Sequence, residues 1–145
     1  MFLAASAIVA ILKAEDNAGS LIARMKTSKE PLQYSSLVVF EVVVALARQK
    51  KIALLREHAP TPPDLIAKTQ VSVEAFLRDI EATEVELSSG LHKIALNAAR
   101  TYGRFVGHPA KLNFGDCFSY ACAKQLETSL LFVGNDFAQT DIEAA

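Results

Sequence analysis

Three acidic residues stand out in this 145-residue chain for where they fall. Glu41 interrupts the run Leu37-Val38-Val39-Phe40-Glu41-Val42-Val43-Val44-Ala45-Leu46-Ala47, with four apolar residues before it and six after it. Almost any regular structure buries it in part. A lone buried carboxylate is costly unless it is protonated, paired or bound to a cation. An arginine or lysine elsewhere, or a place at the wet edge of a helix, would satisfy it equally well. Asp116 comes three positions after Asn113, the spacing of a helix N-cap, and an acid there gains roughly 0.3–1 kcal/mol from the helix dipole without any catalytic role. Asp136 ends Leu130-Leu131-Phe132-Val133-Gly134-Asn135-Asp136, just past a strand. Ligands gather outside the carboxyl ends of strands in open α/β sheets, but Asn-Asp after Gly is also ordinary turn chemistry. Each acid alone has a plain structural explanation. Together, three acids near element starts or a strand end offer the oxygen ligands that hard Mg²⁺ or Mn²⁺ ions require.

Other chemistries find less support. His58 precedes a Pro-rich turn, His92 sits on an exposed-looking helix, and His108 lies in the loop Gly107-His108-Pro109-Ala110. No serine–histidine–acid or cysteine–histidine arrangement is legible. Neither GxGxxG nor GxxxxGK[ST] is present. Cys117 and Cys122 fall five apart on one helix, so they face different ways and cannot bridge there. Without CxxC or Cys/His spacing they read as small buried hydrophobes of a reducing compartment. Lys93, Arg100, Arg104, His108 and Lys111 cluster along one helix and the loop after it. Such a cluster is usually a solvated face, but it could also hold a phosphate backbone.

The elements that must position these residues read as short strands alternating with helices, which implies an α/β fold with a mainly parallel sheet. Met1 to Leu3 or Ala4 reads as a buried strand, followed by a helix over 6–12 and another over 16–26. Residues 32–35 read as a strand edge. The stretch 36–48 is ambiguous: its β-branched residues favour strand, while its length and a serine cap favour helix. Pro60, Pro62 and Pro63 punctuate the chain ahead of a helix over 64–82. A strand over 84–87 follows, then a helix capped by Ser88-Ser89 and running to Phe105. Asn113 caps a helix ending near Gln125, and 129–133 is a buried strand. At 51% hydrophobic residues the chain can bury a real core and keep apolar surface for a partner. Fifteen basic and sixteen acidic residues nearly cancel, so any nucleic-acid binding must come from a local patch. The first apolar run lacks a basic start and the second contains Glu41; both are shorter than the ~20 residues of a membrane span. A cytoplasmic protein is expected.

In this order, these segments resemble the VapC-type toxins of the PIN-domain family over essentially the whole chain, implying a single PIN domain across 1–145 with a short, mainly parallel sheet flanked by helices. The strongest piece is Leu112-Asn113-Phe114-Gly115-Asp116-Cys117-Phe118-Ser119-Tyr120-Ala121, similar to the motif around the family's third acid. Leu37-Val38-Val39-Phe40-Glu41 resembles the helix of the second acid, which favours helix for the ambiguous stretch. Asp136 before Phe137 resembles the fourth. The family opens with a strand ending in Asp-Ala-Ser-Ala; here the match is Ala4-Ala5-Ser6-Ala7, with Ala4 where the first acid belongs. The codon for position 4 in the native gene separates an introduced replacement from natural loss. The resemblance implies an Mg²⁺- or Mn²⁺-dependent endoribonuclease toxin of a type II toxin–antitoxin system, here crippled at Ala4. Glu41, Asp116 and Asp136 would be the metal ligands and catalytic acids, with Ser6 and Asn113 as polar support. Asp141 is a weaker candidate, read more readily as a tail or turn residue. Implied partners are an RNA substrate, a VapB-type antitoxin and a second copy in a homodimer. The competing reading is an inactive PIN-type binding protein that retains only partner recognition.

Overall fold

The computed structural model describes residues 1–54 and 58–145. Its centre is a sheet of short strands: β1 (Phe2–Leu3), β2 (Gln33–Ser35), β3 (Thr83–Val85) and β4 (Leu130–Leu131). Among the described residues the order is β3-β2-β1-β4. All pairings are parallel, with Phe2 opposite both Gln33 and Leu130, and Leu3 opposite Leu131. Phe2, Leu3, Leu130 and Leu131 have no exposed surface, because helices cover both faces of a parallel sheet. Strands this short leave no room for an alternating pattern, so their continuous apolar character is their main signal.

Between the strands run α1 (Ala5–Leu12), α2 (Ala18–Thr27), α3 (Ser36–Leu54), α4 (Pro63–Asp79), α5 (Leu91–Tyr102) and α6 (Phe114–Gln125). The ambiguous valine-rich segment is therefore a helix. Its β-branched residues are accommodated by packing: Val38, Val42 and Val43 bury their side chains while α3 lies against α1, α4 and α6. Cys117 and Cys122 are both free and buried.

Several expectations shift. β2 is an interior strand, because β3 pairs outside it. α4 stops at Asp79, earlier than expected, because Glu81 adopts a left-handed conformation (φ 54°) and the Ala82 N–H closes on the Leu77 carbonyl at 3.0 Å. Ser88-Ser89 does not cap α5. Gly90 (φ 87°) takes the N-cap position, and Ser88 Oγ donates instead to Gln125 Oε1 at 2.8 Å. α5 ends at Tyr102 rather than Phe105. There the Arg104 N–H donates to the Leu112 carbonyl (3.0 Å) and the Leu112 N–H to the Tyr102 carbonyl (3.1 Å), bending the chain at Gly103. Arg104–Val106 then forms a separate 3₁₀ turn.

Candidate functional site

Parallel pairing delivers the carboxyl ends of the four strands to one edge of the sheet, where Ala4 and Ser6 follow β1 and Asp136 follows β4. Ala4 follows β1 directly, 2% exposed, and its N–H donates to the Leu131 carbonyl at 3.0 Å. It holds the N-cap position of α1 without a side-chain cap. Ser6, one residue into that helix, accepts the Val133 N–H at Oγ (3.1 Å). This bond ties α1 to the segment leaving β4, on which Asp136 stands exposed. Asn113 and Asp116 form a complete capping box at the start of α6. The Asn113 N–H donates to Asp116 Oδ2 at 2.9 Å, and the Asp116 N–H donates to Asn113 Oδ1 at 3.1 Å. Asp116 is thereby fixed in direction as well as position.

Glu41 meets this helix from α3. Its buried neighbours Val38 and Val42 set the inward face of α3, and the Glu41 carboxylate lies against Gly115 so closely that a β-carbon there would overlap it. Burial, and then the charge of Asp116, push the Glu41 carboxyl up from 4.5 to about 7. Burial also raises Asp116; the Asn113 N–H pulls it back, Asp136 raises it and Arg104 lowers it. The structure thus brings Glu41 and Asp116 together and sets Asp136 within electrostatic reach of Asp116. Among the described residues, Glu41 has neither a hydrogen bond nor an ion pair to offset its burial.

A hard divalent cation would suit these side chains in kind: they offer carboxyl oxygens, and positive charge would relieve their mutual repulsion. In number the set falls short. Among the described residues no group of three or more histidine, cysteine, aspartate or glutamate side chains is disposed to hold a metal ion, and the Ala4 methyl contributes no donor.

The PIN domain family matches residues 1–143. The chain belongs to the PIN domain family. Over 141 residues it is 41% identical to a VapC ribonuclease of Rhizobium meliloti, covering 97% of this chain and 98% of that protein. Ribonuclease VapC42 of Mycobacterium tuberculosis is 31% identical over 145 residues, covering 100% of this chain and 98% of the other. These relatives, themselves named ribonucleases, make it a VapC-type PIN protein. The fold also matches the crystal structure of M. tuberculosis VapC20, a sarcin-ricin loop cleaving toxin, with a TM-score of 0.69 at 17% identity, covering 99% of this chain and 97% of that one.

Within this PIN fold Asp141 sits apart from the paired acids. It accepts Tyr120 Oη at 2.6 Å and Lys124 Nζ at 2.9 Å, contacts that hold its carboxyl below the usual range and pin the C-terminal segment to α6. The sequence reading did not single out Gly115 or assign Arg104 a role beside Asp116. A glycine beside an acid in a helix's first turn was the only visible signal for the first, and the basic cluster for the second. His58 and His92 are exposed; His108 accepts the Ala110 N–H at Nδ1 (3.1 Å) within its own loop.

Proposed function

We propose that this PIN domain is a metal-dependent endoribonuclease toxin whose site lacks its first acid. Glu41, Asp116 and Asp136 would hold Mg²⁺ or Mn²⁺, directly or through water, with Ser6 and Asn113 as support. The observation that carries this reading is the uncompensated approach of Glu41 to Asp116. A bound divalent ion supplies charge neutralisation and an activated water for in-line attack on an RNA phosphodiester. The chain supplies the rest. Asn113 aims Asp116, the absence of a side chain at Gly115 lets Glu41 approach it, and Ser6 fastens the segment carrying Asp136. Ala4 leaves this set one carboxylate short, so the metal is held weakly and the attacking water poorly.

The remaining roles follow the family: a VapB-type antitoxin whose C-terminal segment reaches the acids, a homodimer, and action in the cytoplasm. Exposed Phe40 and Val44 are compatible with partner surfaces. Among the described residues no helix is long and apolar enough to cross a membrane. Ala4 also favours a second reading, an inactive PIN protein that only binds its partner.

RNA cleavage by the chain as given and by Ala4→Asp, in matched Mg²⁺ or Mn²⁺ with contaminating nucleases excluded, separates the two. The nuclease reading expects metal-dependent cleavage to rise by at least about a hundredfold in Ala4→Asp. Equal cleavage by both proteins would overturn it.

A further inference from the structure

Beside the acids an open groove of about 810 Å³ runs between α5, the Arg104–Val106 turn and the first turns of α6. Its lining is overwhelmingly apolar, yet Phe105 and Phe114 are 64% and 60% exposed. Lys93 and Arg100 line the same groove, and the Arg104 guanidinium sits 5.7 Å from the centre of the Phe105 ring. Among the described residues, no acidic side chain lines it. Among the described residues, none of these three cations forms an ion pair with a carboxylate, and Arg100 bonds only Asn97 Oδ1, at 3.3 Å.

The groove adjoins the acids. Phe114 and Asp116 share the first turn of α6, and the charge of Arg104 reaches Asp116. Its occupant must therefore offer apolar faces and negative charge. A second copy packed groove against groove would bring more cations and no acid from the lining to pair them. An uncharged apolar peptide would leave them without counter-charge. Single-stranded RNA meets every requirement, since each base has a face to stack and each nucleotide carries a phosphate.

We propose that this groove seats the RNA strand flanking the cleaved bond, with unpaired bases stacked on Phe105 and Phe114 and phosphates held by Lys93, Arg100 and Arg104. The proposal rests on the nuclease reading and specifies how its substrate is held. Duplex RNA keeps its base faces stacked inside, so the groove selects single-stranded or looped segments.

The test is fluorescence anisotropy in chelator, using the chain as given, a labelled unstructured oligoribonucleotide and a duplex of the same sequence. The single strand should bind more tightly. Phe105→Ala should weaken that binding about tenfold, Phe105→Trp should restore it and Phe105→Leu should not, because stacking needs a ring. Arg100→Gln should lower the slope of log affinity against log salt by about 0.7, as expected for one lost phosphate contact. Unchanged affinity in both Phe105→Ala and Phe105→Leu would overturn the proposal, as would an unchanged salt slope or no measurable RNA binding. So would light scattering that shows Phe105→Ala converting a dimer to a monomer while RNA affinity stays constant; that would assign the groove to a second copy. The two readings fail separately. An Ala4→Asp chain that cleaves RNA but ignores the loss of Phe105 refutes the groove alone. One that binds RNA through Phe105 but never cleaves refutes the nuclease.

Discussion

At the scale of single residues, Glu41 carries a measurable cost. Its carboxyl is raised from 4.5 to about 7 by burial and by Asp116. Because the folded value lies above the unfolded one, the stabilising contribution of protonated Glu41 is complete below about 4.5 and is lost as pH rises to about 7. Denaturant titrations in chelator should therefore show stability falling across that window. Glu41→Gln should flatten the fall by about 1–2 kcal/mol, less than the whole shift would give because water still screens a half-buried group. An unaltered pH profile in Glu41→Gln would contradict this assignment. Gly115 supplies a second test. Alanine in a helix is ordinarily the better residue by about 1 kcal/mol, but here its methyl would overlap the Glu41 carboxylate. Gly115→Ala should cost about 1–3 kcal/mol in denaturant unfolding, and most of that cost should vanish when Glu41→Ala is added. Additive effects would mean that the two side chains do not meet. The sequence showed Glu41 as costly, because its apolar run forces burial. It could not show Gly115 as its neighbour, since that contact joins segments far apart in the chain.

At the scale of elements, the start of α6 holds the site's geometry. Asn113 and Asp116 were legible as a capping box because that motif is local: two side chains three positions apart satisfy each other's backbone. Asn113→Ala should cost about 1 kcal/mol of stability by denaturant unfolding and should loosen Asp116, so that metal affinity falls even though Asn113 touches no metal in this account. Lost stability with unchanged Mn²⁺ affinity would confine Asn113 to a capping role. Elements whose ends depend on distant partners were harder to read. Tyr102 ends α5 because Leu112, across a loop, bonds to both sides of Gly103. Ser88, a reasonable cap by type, spends its hydroxyl on Gln125 of α6. Neither partner can be inferred from the local pattern. The short strands were placed by their apolar content, and the interior position of β2 emerged only from the pairing with β3.

At the scale of the whole molecule, the order of segments was more informative than any one of them. The fold brings Glu41 of α3 against the start of α6, which carries Asp116, and contacts between distant segments hold the neighbouring sheet in place. Glu30 is one such contact. It lies 2.6 Å from the Met1 amine and accepts bonds from Thr128 Oγ (2.5 Å) and Ser129 Oγ (3.0 Å), joining the approaches to β1 and β4. The Met1 amine and Thr128 lower its carboxyl from 4.5 to about 2. This lowered value gives stability that is present above about 4.5 and is lost as pH falls towards 2. Glu30→Gln should destabilise the chain by about 1 kcal/mol near neutral pH and have little effect in strong acid, as thermal unfolding at the two extremes would show. Equal effects at both would contradict the charge-based account.

The central claim is that position 4 completes a cation site formed by Glu41, Asp116 and Asp136. Titration calorimetry with Mn²⁺ on three proteins tests it without relying on RNA: the chain as given, Ala4→Asp, and Ala4→Asp combined with Asp116→Asn. Ala4→Asp should bind Mn²⁺ at least about tenfold more tightly than the chain as given, since one more anionic oxygen offsets the ion's dehydration. Adding Asp116→Asn should abolish that gain. The same Mn²⁺ affinity for all three proteins would contradict the account, because position 4 and Asp116 would then not belong to one site.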